Sequence, residues 1–519
     1  MSLLAGPFLK FCGGTSTEWS VSLLLVTDSS QTPEVRLTLD GRALASPAMT
    51  LIYSFQKAHF WKCCVVVARV QQRQVVGYRV AGVAQPTGWS WVIPSADTIP
   101  MLAYASCAGF HSARDAQKYG GARNERWQHL LARHRQLLSQ EPGTDAEEPP
   151  YHLLLMGGDQ VYADSIWVDR REASAIVDWN DAGQKKTTKF GSLMQNQVER
   201  FYLNLYLRRW TEAGPDQVYA SIPSLMMWDD HDIFDGWGSF PPEKHNCPVY
   251  QGIFRIAAQY FRLFQHHSAD LSAVPGLLKI PGPGEQYHSV GFDLGPIAIL
   301  APDLRGSRTE SQILGRDQLS AVLDWVDQTA KRAIPPKHLL IMLSLPLMYP
   351  GFSWLESGLR LLPGAQDLED DVRDHWTSAP HREERLRLIH RLLNFSARSG
   401  CQVTILSGDV HVGATSTIRR SGLSGQPEAA LTQLISSAIV NAPPPASALF
   451  FLNNVVNRQE AIDDGIVGEM RPFSNTSSMF IARRNWLSLE PDDRDRIWAK
   501  LFIENDAYPL IRVIASPAN

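Results

Sequence analysis

The sequence has few cysteines and no feature of a secreted protein. Six cysteines in 519 residues are too few for a disulfide framework. The adjacent residues Cys63 and Cys64 are also badly placed to bridge each other. Reduced thiols are typical of the cytoplasm, which is the predicted location. The N-terminus lacks the basic start, apolar core and small-residue cleavage site of a signal peptide, so none is expected.

Long apolar segments and long basic runs are also missing. Without a stretch of about 18 apolar residues, no transmembrane helix is predicted. The chain carries 49 basic and 53 acidic residues, a net charge of −4, so charge gives no indication of nucleic-acid or anionic-membrane binding. The patterns G-x-S-x-G, G-x-G-x-x-G and G-x-x-x-x-G-K-[ST] are absent. Their absence argues against an α/β-hydrolase and against nucleotide cradles of those types.

The sequence that is present divides near residue 97. Residues 1–97 hold short β-branched segments separated by turns, among them "VRLTLD", "TLIYSF", "CCVVVARV" and "QVVGYRVAG". They predict a small N-terminal β-sandwich-like accessory domain. Residues 98–519 alternate short apolar runs with amphipathic helical patterns, which predicts an α/β domain. The helices are expected at roughly 122–140, 192–212, 249–267, 315–331 and 381–399, with a polar insertion at 169–190 and a second specificity loop at 351–380.

Six apolar runs of the second domain predict buried strands, and five end in a side chain that can bind a metal or an anion. In sheets with crossover helices, functional groups gather beyond the carboxyl ends of the strands. Several such ends together indicate one site. The five are "MLAYAS" with Cys107, "YHLLLMGG" with Asp159, "SIPSLMMW" with Asp229 and Asp230, "GPIAILAP" with Asp303, and "CQVTILSG" with Asp409 and His411. The sixth run, "HLLIMLSLP", ends without a strong ligand.

The segment "MMWDDHD" places three aspartates and a histidine directly after an apolar strand. This arrangement costs free energy, because each carboxylate loses water and repels its neighbours. A pair of metal ions would offset the repulsion, since hard and borderline cations take carboxylate and imidazole ligands. The donors available for such ions are Asp159, Asp230, Asp409 and His411.

A two-metal site of this kind suits phosphoester hydrolysis. Two ions about 3.5–4 Å apart activate water and hold a phosphoryl group during in-line attack. His231 would then protonate the leaving oxygen as a general acid. Arg305 and Arg308, in "APDLRGSR", would hold phosphate oxygens. The alternative for these arginines is a salt bridge to Asp303 or Asp317.

The motifs around these residues resemble those of the PhoD-like alkaline phosphatases and phosphodiesterases of the metallophosphoesterase superfamily. "GGDQVYAD" resembles the family's GD-x-x-Y block, "MMWDDHDIFDGWG" its W-D-D-H-E block and "LSGDVHVGA" its GDVH block. "APDLRGSR" and "LGRDQLSAVLDWV" resemble the blocks between them, and "ASCAGFH" the opening segment. The resemblance covers about residues 100–445. It departs from the family at Asp232, where Glu is usual, and in "LSLPLMYP", which has Ser344 and Tyr349 but no histidine.

The resemblance implies a four-layer α/β/β/α metallophosphoesterase sandwich and a phosphomonoester or phosphodiester small-molecule substrate. It implies two or more metal ions, with iron and calcium favoured and manganese or zinc as alternatives. A trivalent ion favours deprotonated ligands, which suits a thiolate and a tyrosinate. The implied metal ligands are Cys107, Asp159, Tyr162, Asp230, Asp409 and His411, and the implied catalytic residues are His231 and Arg305.

Each of these interpretations has a plainer alternative. Cys107 and Tyr162 could be packing residues. Asp164 and Asp229 could orient metal ligands or be surface carboxylates. For the whole protein, the alternative is a non-catalytic relative that keeps the fold and acts as a binding or scaffold module. The presence of His231 argues against it, because a scaffold has no evident need for an acid beside a metal ligand.

Overall fold

Most of the chain can be described residue by residue. The computed structural model describes residues 1–83, 88–111, 113–140, 148–280, 287–349, 376, 378–422, 428–445, 449 and 458–515. Most of the predicted specificity loop at 351–380 lies outside these ranges. Among the described residues, no helix has the length and apolar character needed to cross a membrane.

The strands are short and mostly buried, as their β-branched and aliphatic content predicts. In chain order they are β1 (Leu3–Gly14), β2 (Glu18–Thr27), β3 (Val35–Leu39), β4 (Arg42–Leu44), β5 (Thr50–Phe55), β6 (Ala58–Ala68), β7 (Gln74–Val80), β8 (Trp89–Ile93), β9 (Leu102–Ala105), β10 (Leu153–Gly157), β11 (Ser224–Met227), β12 (Val290–Asp293), β13 (Ile297–Ala301), β14 (His338–Met342), β15 (Gln402–Ser407), β16 (Gly413–Arg420), β17 (Ala429–Ile435), β18 (Gln459–Asp463), β19 (Ile466–Arg471), β20 (Phe480–Ile481), β21 (Asn485–Pro491), β22 (Ile497–Ile503) and β23 (Leu510–Ile514).

The helices are α1 (Ala113–Tyr119), α2 (Glu125–Leu138), α3 (Arg170–Asp181), α4 (Ser192–Trp210), α5 (Pro215–Ser221), α6 (Pro242–His245), α7 (Pro248–Gln265), α8 (Gly315–Ala330) and α9 (Arg382–Ser399). Five of the nine helices named here, α2, α4, α7, α8 and α9, match the predicted amphipathic segments, and the other four were not predicted. The start of α7 is set by Pro248, which fits the first helical turn. The end of α9 is set by Gly400, which takes the left-handed conformation. The predicted polar insertion at 169–190 contains α3, whose Asp169 side chain caps the first turn.

Ten of the described strands form one sheet, in the order β23-β22-β21-β9-β10-β11-β1-β2-β6-β5. Strands β9, β10 and β11 run parallel, so their carboxyl ends meet at one edge. The N-terminal strands continue this sheet, because β1 pairs in parallel with β11 through Lys10 and Ser224. The predicted domain boundary at residue 97 therefore does not coincide with a break in the sheet.

A second large sheet has the order β12-β13-β14-β15-β17-β16-β19-β18, with β20 paired to β16. Strands β13, β14 and β15 run parallel, and their side chains alternate between two apolar clusters. Ile299 and Met342 join a core that also contains Leu155 and Met226 of the first sheet. The next residues along each strand, such as Ile341, pack into a separate cluster with α8 and α9. The second sheet therefore has the first sheet on one face and helices on the other. A small third sheet has the order β4-β3-β7-β8.

Candidate metal centre

The predicted ligands follow the carboxyl ends of four parallel strands, three in the first sheet and one in the second. Close backbone approach brings the strand ends together. A Cβ atom at Gly158, after β10, would lie 2.8 Å from the Asp229 Cβ that follows β11. A Cβ at Gly408, after β15, would lie 2.4 Å from the Ser106 Oγ that follows β9. Only glycine permits both approaches: Gly158 lets two strand ends of the first sheet meet, and Gly408 lets a strand end of the second sheet approach the first.

The side chains converge around Asp159. One ligand atom each from Cys107, Asp159 and His411 lies within 4.8 Å of the other two. The same limit holds for Asp159 with Asp230 and His231, and for Asp159 with Asp229, Asp230 and Asp409. The Tyr162 hydroxyl lies 3.4 Å from Asp159 Oδ2 and 3.5 Å from His411 Nε2. All six sequence-predicted ligands therefore meet, and Asp159 belongs to all three groups.

The backbone of this site is strained. Five of the six predicted ligands have a positive φ that non-glycine residues rarely adopt, which costs on the order of 1–2 kcal/mol each. Such strain persists where surrounding structure enforces it, and it is concentrated at functional sites. The residues and angles are Cys107 (55°), Asp159 (60°), Tyr162 (56°), Asp409 (66°) and His411 (50°).

Part of the carboxylate charge is neutralised by the protein itself. Arg305 is fully buried, and its Nε pairs with Asp229 Oδ1. A second nitrogen of the same guanidinium lies 3.2 Å from Asp230 Oδ1, and the third donates to Trp237 O at 3.0 Å. Arg305 thus pairs with Asp229 and Asp230, whereas the sequence alternative was an ion pair with Asp303 or Asp317. Its contact with Asp303 runs through the backbone N–H, at 3.0 Å.

Asp232, which stands where the family usually has Glu, holds the loops in register. Its Oδ1 accepts from the backbone N–H groups of Gln160 and Val161 at 2.9 and 3.1 Å, and its Oδ2 from that of Asp229 at 3.1 Å. It is buried, and burial raises its pKa to about 7 against these donors. Asp232 therefore ties the loop after β10 to the loop after β11.

His231 is oriented by Asp164. Its Nδ1 lies 2.8 Å from Asp164 Oδ2, and Asp164 Oδ1 accepts from the backbone N–H of Asp235 at 2.8 Å. Asp164 therefore orients the candidate general acid, whereas the sequence suggested that it orients a metal ligand. Burial alone would lower the pKa of His231, but the carboxylates of Asp164, Asp230 and Asp159 outweigh it, so the pKa lies well above its ordinary value. The imidazolium form, which can donate a proton, is favoured.

Three of the candidate ligands, Asp159, Cys107 and Tyr162, have raised pKa values, which favour their neutral forms. Burial raises the pKa of Asp159; the charge on His231 opposes this, while Asp229 and Asp230 add to it. Burial likewise raises the pKa values of Cys107 and Tyr162. The Asp159 Oδ1 atom is buried without a hydrogen-bond partner among the described residues. A cation among these donors would supply the missing partner and favour ionised thiolate, phenolate and carboxylate, so the donor set fits metal ions.

Three further residues belong to the site; sequence reasoning placed Ser437 near it as a turn residue and left His111 and Asn441 unassigned. The His111 ring stacks against those of His231 and His411, at centroid distances of 6.3 and 6.4 Å. Ser437 Oγ lies 3.2 Å from Cys107 Sγ and accepts from the His411 backbone N–H at 3.1 Å. Asn441 Nδ2 donates to the Tyr162 hydroxyl at 2.9 Å. The only sequence signal was that "SSAIVNA" follows an apolar run, β17, that is a neighbour of β15.

Residues 105–361 and 355–465 match the sequence profile of the PhoD related phosphatase family. The chain belongs to the PhoD related phosphatase family. All six candidate ligands, with His231 and Arg305, lie inside the matched ranges. The resemblance stated from the motifs is thereby confirmed.

Two relatives extend this result. An uncharacterized protein of Saccharomyces cerevisiae is 27% identical over an alignment of 517 positions. The alignment covers 83% of this chain and 70% of the yeast protein. The solved structure of PhoD is similar to the whole of this chain and to 92% of its own, with a TM-score of 0.58 and 12% identity. At that identity the likeness concerns the fold, which is a mixed α/β fold with several sheets, like that of PhoD.

Proposed function

We propose that this protein is a metal-dependent phosphoester hydrolase whose reaction takes place at the carboxyl ends of β9, β10, β11 and β15. The observation that carries the proposal is the convergence of six metal-binding side chains beside an oriented His231–Asp164 pair. Membership in the PhoD related phosphatase family supports it. The fold supports a four-layer α/β/β/α arrangement, since the two large sheets share a core and α8 and α9 cover the second sheet.

The proposed metal ligands are those named from the sequence: Cys107, Asp159, Tyr162, Asp230, Asp409 and His411. Bound cations supply Lewis-acid activation of water and of the phosphoryl group. The thiol and phenol donors suit iron in its trivalent state, and the carboxylate oxygens suit calcium. Manganese or zinc are the alternatives.

His231 is the proposed general acid. Because its Nδ1 is held by Asp164, its Nε2 is the ring nitrogen left for proton transfer to the leaving alkoxide. The neighbouring carboxylates keep the ring protonated before transfer. This arrangement favours an enzyme over the non-catalytic alternative, since a binding module would gain nothing from a buried imidazolium.

Arg305 has a different proposed role from the one expected. Its buried guanidinium is already engaged by Asp229, Asp230 and Trp237 O. We therefore propose that Arg305 positions the Asp230 carboxylate, with contact to the substrate phosphate as the alternative. His111, which is exposed beside His231 and His411, is better placed to meet the substrate.

The proposal is tested by the hydrolysis of glycerol 2-phosphate, a monoester, and glycerophosphocholine, a diester, by protein purified without chelator; both release an alkoxide that needs a proton. His231→Gln is expected to retain bound metal and to lose about 10²–10⁴-fold in kcat, the usual contribution of general acid catalysis. His390→Gln is the matched control. His390 also pairs with a carboxylate, its Nε2 lying 2.7 Å from Asp463 Oδ2, and it contacts none of the candidate ligands.

The two substrates also separate a monoesterase from a diesterase. Hydrolysis of one, the other or both, lost in His231→Gln and kept in His390→Gln, supports the proposal. Metal-loaded protein that hydrolyses neither substrate, or equal rates in the two variants, would overturn it.

A further inference from the structure

A hydrogen bond joins the two large sheets on the β11 side of the candidate metal centre. The indole Nε1 of Trp228, which follows β11 of the first sheet, donates at 2.6 Å to Oδ1 of Asp303, which follows β13 of the second sheet. Both side chains are fully buried. A hydrogen bond to an ionised carboxylate is stronger than one between neutral groups, so this contact holds the two sheets at a fixed distance.

Asp303 meets hydrogen-bond donors on both carboxylate oxygens. Its Oδ1 also accepts from the backbone N–H groups of Arg305 and Gly306, at 3.0 and 2.8 Å. Its Oδ2 accepts from the backbone N–H of His288 at 3.0 Å and lies 3.3 Å from His288 Nδ1. Burial raises the pKa of Asp303, but the donors of His288 and Trp228 outweigh it, so the pKa lies below its ordinary value. Asp303 is therefore ionised and held from several sides.

The same carboxylate reaches the acidic loop after β11 by two routes. Trp228 directly precedes Asp229 and Asp230 in the chain. Arg305, whose backbone N–H is held by Asp303, pairs through its guanidinium with the carboxylates of both. Asp303 thus fixes the residue that leads into the loop and the arginine that neutralises it.

A second tie between the sheets lies on the opposite side of the centre. Ser106, after β9, donates through its Oγ to Ser436 O at 2.9 Å, and its carbonyl accepts from the Ile439 N–H at 3.0 Å. Ser436 and Ile439 follow β17. The first sheet runs β9-β10-β11 and the second β13-β14-β15-β17, so the two ties flank the centre. Asp159, after β10, and Asp409, after β15, lie between them.

We propose that Asp303 is a positioning residue that, through Trp228 and Arg305, sets the spacing between the metal ligands of the two sheets. The inference rests on the proposed function, because it concerns the ligands named there. Asp230 of the first sheet and Asp409 of the second belong to one candidate ligand group, so a looser tie would move them apart. Two ions act on one phosphoryl group only when they are close together, so this spacing matters for the reaction.

The test uses Trp228→Phe, which removes the indole N–H and keeps an aromatic ring. Metal-free protein is titrated with manganese, zinc, iron and calcium in turn, and the manganese-loaded protein is examined by electron paramagnetic resonance, in which two neighbouring ions give a spin-coupled signal. The affinity for the second ion should fall about tenfold or more, the lower end of the effect of outer partners of metal ligands. The coupled signal should weaken with it.

Trp61→Phe is the matched control. Trp61 is also buried, and its Nε1 donates to Thr27 Oγ1 at 3.0 Å, on strands that contribute no candidate ligand. It should lower the urea midpoint of the metal-free protein about as much as Trp228→Phe does, because each loses an indole and a hydrogen bond. Its affinity for both ions and its coupled signal should be those of the wild type.

Gly306→Ala disturbs the same carboxylate without changing Trp228. A Cβ atom at Gly306 would lie 2.5 Å from Asp303 Oδ2, so the carboxylate must shift. A smaller loss of affinity in the same direction is expected. Gly121→Ala is the control for this variant, because a Cβ there meets no atom within 4 Å. If Trp228→Phe does not fold, the comparison of these two alanine variants decides the question.

Weaker binding of the second ion in Trp228→Phe and Gly306→Ala, with both controls unchanged, supports the proposal. A lower urea midpoint with unchanged affinity for the second ion would show that the contact serves the fold alone. That result would overturn this inference and leave the proposed function standing. A wild-type protein that takes up no second ion of any of the four metals would overturn the proposed function, and this inference with it.

Discussion

The role of Arg305 gives the sharpest prediction about how the site is held together. Replacing it by methionine keeps most of the side-chain volume and removes the guanidinium. Two buried carboxylates, Asp229 and Asp230, would then lose their cation, and Trp237 O would lose a donor. Removing one partner of a buried ion pair typically costs about 3–5 kcal/mol, because the other partner is left charged and desolvated. Arg305→Met is therefore expected to be destabilised by about that amount.

The assay is urea unfolding of metal-free protein, read as a double-mutant cycle with Asp229→Asn. If Arg305 serves the carboxylates, Asp229→Asn removes one of the charges that the methionine leaves uncompensated. The double variant should then be more stable than the sum of the single effects predicts, by about 1 kcal/mol or more.

Arg385→Met is the matched control. Arg385 is also buried, with its guanidinium at 2.6 and 2.7 Å from the two oxygens of Glu460 and its Nε donating to Leu347 O at 2.8 Å. Arg385→Met should also lower the free energy of unfolding. Its destabilisation and that of Asp229→Asn should be additive in the double variant. An Arg305→Met protein with normal stability and a raised KM would refute the reasoning and restore Arg305 as a phosphate contact.

Three other predictions concern charge at buried positions. Asp164→Asn should lower kcat about 10–100-fold while leaving the metal content unchanged, since it removes the carboxylate that orients His231 and raises its pKa. The pH–rate profile should then show a lower pKa for the group that acts as the acid. An unchanged profile would contradict the prediction. Asp159→Asn should stabilise the metal-free protein, because burial and neighbouring carboxylates disfavour the charge of Asp159, and it should abolish metal binding. The urea midpoint measures the stability and a metal titration measures the binding. A metal-free variant less stable than the wild type would contradict the stability prediction. Burial lowers the pKa values of His134 and His152 to about 3, from 6.5. The free energy of unfolding contributed by each neutral histidine is fully present above pH 6.5 and is lost as the pH falls toward 3, by about 2 kcal/mol between pH 7 and 5. His134→Phe should therefore reduce the pH dependence of the urea midpoint.

Much of the fold was predictable because its signals are local. Periodicity located α2, α4, α7, α8 and α9 to within a few residues, and six apolar runs became six buried strands. Strand pairing is not a local property, however. The sequence of β1 shows that it is a strand, but only its neighbour β11 shows that it extends the main sheet. The predicted N-terminal domain ended at a change of composition that has no counterpart in the pairing.

For the site as well, some features were predictable from local sequence and others were not. Carboxylates, a thiol and imidazoles after apolar runs marked the residues that meet, because parallel strand ends share an edge. The partners of those residues could not be read from spacing. Arg305 is paired with residues 76 and 75 positions away, and His111 approaches His231 through the turn after β9. Asp232 belongs to the acidic cluster after β11, but only the structure shows that it accepts from three backbone N–H groups.

The most direct test of the central claim is a count of metal ions per chain, by elemental analysis, on protein purified without chelator or nickel affinity. We expect two or more ions per chain in the wild-type protein, with iron among them, and none in Asp159→Asn. Because Asp159 belongs to every candidate ligand group, its loss should affect both positions. A wild-type protein that holds no metal and cannot be reloaded by added iron, calcium, manganese or zinc would contradict the claim.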